Sequence, residues 1–145
     1  MAADYDIYDH WRDVPTDKWP WPNFSPFEMR CRSTDRLIVV RAFMDRLQGL
    51  RTQLGKPLLV SSAYRDPSYN AKISKTGRSG PHTTGRAIDL LVWGERAYHV
   101  NGLAYAVGFT GIGPHQKGPH NQRFIHLDDL EPMLNEHRPN IWTYA

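Results

Sequence analysis

The feature that most constrains this 145-residue chain is a carboxylate inside an apolar run. Asp89 lies within the sequence Ala-Ile-Asp-Leu-Leu-Val (87–92), whose composition predicts a core strand. A buried carboxylate is costly unless it is paired with a cation or bound to a metal. The fold therefore has to bring one or the other to Asp89, and from spacing alone an ion pair with Arg86 competes with a metal site.

Size and composition are those of one globular domain, with 40% hydrophobic and 23% charged residues. The formal net charge of +3 favours adsorption to anionic polymers, but no run of Lys and Arg indicates nucleic-acid binding. Because Cys31 is the single cysteine, any zinc has to be held by histidine and carboxylate. No segment predicts membrane insertion, and the N-terminus lacks the pattern of a secretory signal, so we expect synthesis in the cytoplasm.

Hydrophobic periodicity predicts an α+β fold, in which a long and a shorter helix pack on a small, mainly antiparallel sheet. The long helix is expected between a cap at Ser33 or Thr34 and a stop at Gly55. The shorter amphipathic helix is expected over residues 94–107. Strands are expected over residues 58–60, 87–92, 109–112 and 124–127, and a short helix over residues 66–73.

The N-terminal part is rich in Trp, Pro and Asp and has no clear period. We expect residues 1–23 to form an irregular strap across a single domain of residues 24–145. Trp19 and Trp21 are expected to pack against this domain, because ordered aromatic side chains bury large areas. Stacking of these two side chains on a sugar is the alternative.

Two histidines have settings that resemble that of Asp89. His82 follows a loop rich in Gly and Ser (74–80), and His126 lies in the strand-like sequence Phe-Ile-His-Leu (124–127). A His, Asp and His donor set with an open fourth position is that of a catalytic zinc site, whereas calcium and magnesium need more oxygen ligands. The spacing permits this metal site but does not decide between it and an ion pair.

Several short motifs occur in the order found in a known family. They are Ser61-Ser62-Ala63-Tyr64-Arg65, Asn70, His82-Thr83-Thr84-Gly85-Arg86-Ala87-Ile88-Asp89, Phe109-Thr110-Gly111-Ile112-Gly113 and Phe124-Ile125-His126-Leu127-Asp128. This order resembles the zinc peptidase family of D-Ala-D-Ala carboxypeptidases and phage L-Ala-D-Glu endolysins, whose fold is shared by hedgehog signalling domains. The resemblance covers residues 24–129. Ala63 replaces the usual Gly, and Gly80 stands where a Ser usually precedes the first histidine.

The resemblance implies that His82, Asp89 and His126 bind Zn²⁺. It also implies that Arg65 holds a carboxylate of the substrate, for which a planar guanidinium is well shaped. An ordinary salt bridge of Arg65 with Asp66 or Asp89 is the alternative.

The proton carrier of such a peptidase is harder to assign. Many relatives place Glu or Asp three positions before the last ligand, where this chain has Arg123. We favour His120 for proton transfer, since a neutral imidazole can do this near pH 7. Asp128 is the second catalytic candidate, either as a base or as a carboxylate that orients His126. His115 is a weaker candidate in the same loop.

These inferences predict a zinc metallopeptidase that cleaves stem peptides or cross-bridges of bacterial peptidoglycan, as a phage endolysin or related wall-lytic enzyme. It would reach the wall after release from the host cytoplasm or as part of a virion, and we expect a monomer. The main alternative is a catalytically inactive, zinc-stabilised binding module of a virion or cell wall. A cytoplasmic hydrolase of small dipeptides is a third possibility.

Overall fold

A five-stranded sheet in the order β3-β4-β6-β5-β7 lies at the centre of the computed structural model, which describes residues 4–132 and 137–145. Its strands are β3 (Leu59–Ser62), β4 (Ala87–Leu91), β5 (Gly111–His115), β6 (Phe124–Asp128) and β7 (Asn140–Ile141). A second sheet pairs β1 (Tyr5–Tyr8) with β2 (Leu37–Val40). The helices are α1 (Pro26–Met29), α2 (Arg41–Leu54), α3 (Pro67–Ile73) and α4 (Gly94–Val107).

The register of the central sheet places chemically different residues in one row. Strands β3, β4, β6 and β5 pair antiparallel, and β7 joins β5 in parallel, so the prediction of a small, mainly antiparallel sheet is confirmed. Ser62 pairs with Asp89, Asp89 with His126, and His126 with Gly113. Because side chains alternate between the faces of a strand, these residues share one face.

The opposite face of the sheet packs in the hydrophobic core. Ile88 and Leu90 flank Asp89 in β4, Ile125 and Leu127 flank His126 in β6, and all four are buried in the core. Helices α2 and α4 supply the facing apolar side chains, which are Phe43, Met44, Leu47, Leu50, Ala97, Val100 and Ala104. The core thus fixes the strands whose other face carries Asp89 and His126.

The predicted start of the first long helix was wrong. Residues 37–40, Leu-Ile-Val-Val, form β2, and α2 begins only at Arg41. Leu37 and Val39 are buried whereas Ile38 and Val40 are only partly so, which is the alternation of a strand paired to β1. Both main helices therefore have 14 residues, and the expected difference in length is absent. No helix among residues 4–132 and 137–145 is long and apolar enough to cross a membrane.

Aromatic side chains of the N-terminal part anchor it to the rest of the protein. Trp21 is buried, and its indole N–H donates to Asp45 Oδ1 on α2 at 2.8 Å. The Trp19 indole donates to the Phe24 carbonyl at 2.7 Å and meets the Trp21 ring edge to face. The predicted packing of Trp19 and Trp21 is confirmed.

Candidate metal centre

His82 is positioned by a short turn that is tied to the end of β3. The turn is a 3-10 helix (Pro81–Thr84) that ends at Gly85, whose φ of 77° is left-handed and favours glycine. The Nδ1 atom of His82 lies 2.7 Å from the carbonyl oxygen of Ala63. In return, the backbone N–H of Arg65 donates to the carbonyl of His82 at 2.9 Å. The segment after β3 and the turn therefore hold each other in place.

The structure brings the three predicted ligands together. His126 Nδ1 lies 3.1 Å from Asp89 Oδ1 and 3.2 Å from His82 Nε2. His82 Nε2 lies 3.3 Å from Asp89 Oδ1. All three residues are buried. Their ligand atoms lie close enough together to hold a metal ion, and among the described residues this is the group of His, Cys, Asp and Glu side chains for which that is so.

The outer contacts of the histidines determine what their inner nitrogens offer. His82 Nδ1 faces a carbonyl and has to donate, and His126 Nε2 faces the Asp128 carboxylate at 2.8 Å and has to donate as well. In the neutral form that a metal requires, the inner nitrogens of both rings have lone pairs, which point toward Asp89. Three acceptors this close repel one another unless a cation lies among them. A tetrahedral zinc with bonds of about 2.0–2.1 Å requires ligand separations of about 3.3 Å, so the donor set fits.

The electrostatics of the cluster also favour a cation. Burial alone raises the pKa of Asp89, but His82 and His126 outweigh it and lower this pKa below its usual range. Burial lowers the pKa of His126, yet hydrogen bonds to Asp128 and Asp89 overcome it and raise the pKa to about 9. Since a histidine ligand has to be neutral, a metal that binds here displaces a proton.

Asp128 orients His126 rather than facing the solvent. It is completely buried, and Arg138 donates to both of its oxygens at 2.8 and 2.7 Å. Burial raises the pKa of Asp128, but Arg138 and then His126 outweigh burial and lower this pKa to about 2. The carboxylate is therefore ionised, and both of its oxygens already accept hydrogen bonds. Of the two roles predicted for Asp128, a catalytic base and a carboxylate that orients His126, this geometry suits the second.

A cleft with a volume of about 500 Å³ opens at the three ligands, and Arg65 forms part of its lining. Arg65 donates from Nε to Ser62 Oγ at 2.9 Å and from Nη1 to Asn70 Oδ1 at 3.1 Å. Its Nη2 lies 3.5 Å from Asp89 Oδ2, so the predicted salt bridge to Asp89 forms at a long distance. Arg65 therefore lines the cleft, as a clamp for a substrate carboxylate would, and also contacts Asp89. The two roles do not exclude each other.

Arg86 does not neutralise Asp89. Its Nε donates to Asp129 Oδ1 at 2.7 Å, and its Nη1 contacts Glu131 Oε2 at 2.7 Å. The ion pair of Arg86 with Asp89, which the spacing left open, is therefore wrong. The carboxylate of Asp89 faces His82, His126 and Arg65 instead.

The structure places the predicted proton carriers away from the centre of the cleft. His120 is exposed, stacks on Trp93 with ring centroids 5.4 Å apart, and is not among the residues that line the cleft. Its catalytic role stays a prediction. His115 packs against Phe124, and Arg123 donates to the Gly118 carbonyl at 2.9 Å.

Residues near the C-terminus complete the cleft, and sequence reasoning missed their role. His137, Arg138, Trp142 and Tyr144 all line it. They are brought there by β7, a strand of two residues that no hydrophobic period can reveal.

Two glycines in β5 could have indicated from the sequence that other groups pack closely against this strand. Gly111 pairs with Asp128, and Gly113 pairs with His126. A Cβ at Gly111 would overlap the Asp128 carboxylate, and one at Gly113 would lie 2.5 Å from the Trp142 indole. Alternate glycines on one face of a strand therefore mark a close approach of buried groups.

The family comparison agrees with this geometry. The chain matches the family model for peptidase M15 over residues 22–128, which include the three clustered ligands and Arg65. No curated protein is similar enough to the chain to count as a match. The match covers most of the chain and ends at Asp128, before the segment that carries Arg138. The chain belongs to the peptidase M15 family, which implies a metal-dependent peptidase, and the cluster of His82, Asp89 and His126 could bind the metal.

Proposed function

We propose that this chain is a zinc-dependent peptidase that hydrolyses peptide bonds in stem peptides or cross-bridges of bacterial peptidoglycan. The observation that carries the proposal is the convergence of three metal-ligand atoms in a cleft that also contains Arg65. Membership of the family supports peptidase chemistry. The resemblance to D-Ala-D-Ala carboxypeptidases and L-Ala-D-Glu endolysins supports the substrate class, a hedgehog-like fold and a role in wall lysis.

Zinc is the metal that this donor set favours. His82, Asp89 and His126 offer two imidazole nitrogens and one carboxylate oxygen, and three protein ligands with an open position are typical of catalytic zinc. When bound, zinc supplies Lewis acidity to the peptide carbonyl and to the attacking water. The buried cluster keeps the ligands in place beforehand, because each histidine already has an outer hydrogen-bond partner.

Arg65 is the proposed clamp for a substrate carboxylate. A guanidinium has five N–H groups, and within the described residues Arg65 uses three of them on Ser62, Asn70 and Asp89. The remaining donors are available to a carboxylate in the cleft. Since Ser62 and Asn70 hold the group in one plane, a peptide carboxylate would be bound in a defined orientation next to the metal ligands.

Phe124, Trp142 and Tyr144 form an aromatic part of the cleft lining, called here the aromatic wall. Trp142 lies with its ring 5.3 Å from the ring of His126, and Tyr144 lies 5.3 Å from Phe124. All three aromatic residues line the cleft. This apolar wall suits the small alkyl side chains of a stem peptide, such as the methyl groups of alanine residues.

The proposal is tested with the purified chain, one equivalent of zinc and defined peptidoglycan fragments, whose products are identified by mass spectrometry. We expect new amine ends with the unaltered chain and none with Asp89→Ala or His126→Ala, because each substitution removes a metal ligand. His99→Ala is the matched control, since His99 is an exposed histidine on α4. Full zinc occupancy without any cleavage would exclude the enzyme.

Proton transfer needs its own test, because two histidines compete for it. His120 is the candidate from the sequence, whereas His137 is the described histidine that lines the cleft without belonging to the metal cluster. We expect His137→Gln to lower kcat about 10²–10⁴-fold at unchanged zinc content, and His120→Gln to lower it less. The reverse order would place the proton carrier in the loop of His120.

A zinc-stabilised binding module without catalytic activity is the second candidate function. It is favoured by Arg123, which stands where many relatives carry an acid and which donates to a carbonyl in its own loop. This module would bind zinc and peptidoglycan fragments without releasing products. Faster cleavage of free dipeptides than of wall fragments would instead support a cytoplasmic dipeptide hydrolase.

For the wall-lytic enzyme, we propose delivery by release from the host cell or as part of a virion.

A further inference from the structure

We propose that Arg138 is a positioning residue of the metal site, acting on His126 through Asp128. The inference rests on the metal site of the proposed function, but it does not depend on which bond is cut. Arg138 lies beyond the segment that matches the family, which ends at residue 128.

The contacts form a continuous chain from Arg138 to the metal cluster. Arg138 donates from Nε to Asp128 Oδ1 at 2.8 Å and from Nη2 to Asp128 Oδ2 at 2.7 Å. The same Oδ2 lies 2.8 Å from Nε2 of His126. Arg138 is 7% exposed and Asp128 is 0% exposed, so water does not loosen the pair. A two-pronged contact of this kind fixes the plane of the carboxylate.

This geometry matters for the metal because the carboxylate in turn fixes the imidazole. With Asp128 held in one plane, the ring of His126 is held so that Nδ1 faces His82 and Asp89. Without Arg138, the carboxylate loses a partner on each oxygen and is free to rotate or to draw in water. The ring of His126 is then no longer held in one orientation, and its Nδ1 spends less time aimed at the other ligands.

Trp142 contacts both ends of this chain of residues, Arg138 and His126. Its ring lies 4.9 Å from Cζ of Arg138 and 5.3 Å from the ring of His126. The backbone N–H of Trp142 donates to the Ile112 carbonyl at 3.1 Å, which docks the segment on β5. Gly113 leaves the room that the indole occupies. Residues 138–142 thus enclose His126 and complete the site that residues 82–128 begin.

The test compares Arg138→Met with Arg86→Met. Arg86 is a matched control because it also donates from Nε to a buried carboxylate, that of Asp129, at 2.7 Å, but it has no contact with the metal cluster. Zinc affinity is measured by competition with a chromophoric chelator, and the visible absorption of bound Co²⁺ reports ligand geometry. Circular dichroism verifies that each variant is folded at the temperature used.

We expect Arg138→Met to weaken zinc binding about 10–100-fold and to alter the Co²⁺ spectrum. Arg86→Met is expected to lose thermal stability while it keeps the zinc affinity of the unaltered chain. Arg138→Lys should recover part of the affinity, because it restores the charge without the two-pronged contact. Equal zinc affinities for Arg138→Met and Arg86→Met would show that Arg138 serves only the fold.

A second variant keeps the test decisive if Arg138→Met does not fold. Asp128→Asn retains the shape of the side chain but removes the charge that Arg138 holds, and we expect the same weakening of zinc binding. Asp128→Asn with unaltered affinity would overturn the inference. Zinc binding that depends on Arg138 without any cleavage would overturn the peptidase and leave the positioning role intact. A chain that binds no zinc would overturn both.

Discussion

The two histidine ligands are held by opposite means. On the loop side, defined here as residues 74–85, His82 is oriented by the neutral carbonyl of Ala63. On the sheet side, defined as β5, β6 and Arg138, His126 is oriented by a carboxylate that is itself held by a guanidinium. The loop side contains exposed residues at positions 75, 76, 78 and 79, whereas the groups behind His126 are buried. We therefore expect the sheet side to be rigid and the exposed part of the loop side, before His82, to be more adjustable.

Glycines on the two sides show the same difference. A Cβ at Gly80 would overlap Thr76, and a Cβ at Gly111 would overlap Asp128. Thr76 is exposed and lies in a loop, so the crowding at Gly80, which involves both Oγ1 and Cβ of Thr76, can be relieved by a shift of the loop toward solvent. Asp128 is completely buried and bound to both His126 and Arg138, so it has nowhere to move. Equal crowding is therefore expected to cost very different free energies.

The largest effect is expected for Gly111→Ala. The added methyl group displaces the Asp128 carboxylate and breaks a buried ion pair, which costs roughly 3–5 kcal/mol of unfolding free energy. Zinc affinity should fall in parallel, because the displaced carboxylate no longer orients His126. Denaturant unfolding with and without zinc measures both effects.

The control for this substitution is Gly102→Ala in α4. No atom lies within 4 Å of a Cβ built at Gly102, and alanine in a helix interior is favoured over glycine by about 1 kcal/mol. Gly102→Ala should therefore be as stable as the unaltered chain or more stable. A Gly111→Ala protein with unchanged stability would mean that the sheet side is as adjustable as the loop side.

The difference between the two sides also explains which parts of the site were predictable. His82 and Asp89 lie in one continuous motif, and His126 lies in an apolar strand where a polar residue needs a special reason. Residue type and position made these three residues candidates, and the order of motifs shared with a known family selected them. Arg138 and Trp142 follow no such pattern, because their positions depend on a two-residue strand added in parallel to β5. A contact made only in the tertiary structure leaves no local period.

The error at β2 has the same physical origin. Leu-Ile-Val-Val is apolar at every position, so it fits one side of a helix as well as a buried strand. Pairing of β2 with β1 decides the outcome, and that partner lies about 30 residues away in a segment without a clear period. By contrast, α4 was predicted with its observed limits, 94–107, because Gly108 ends it in a left-handed conformation.

The smallest effect is expected for Gly80→Ser, which restores the residue usual in the family at this position. Gly80 has a φ of −69°, which suits any residue, so the cost arises from crowding by Thr76 and, at 3.0 Å, by Asn70 Nδ2. When the loop shifts to move Thr76 away, Thr76 loses the hydrogen bond from Asn70 Nδ2, now 2.8 Å long, which is worth about 1 kcal/mol. The lower entropy of the unfolded chain offsets about 0.4–1 kcal/mol of this, so the net change in unfolding free energy should stay below about 1 kcal/mol. The double variant Gly80→Ser with Thr76→Gly should come close to Thr76→Gly alone, since Oγ1 and Cβ of residue 76 are then both absent. If Gly80→Ser instead destabilised the protein as much as Gly111→Ala, the loop side would have to be as rigid as the sheet side, and the expected difference between the two sides would be wrong.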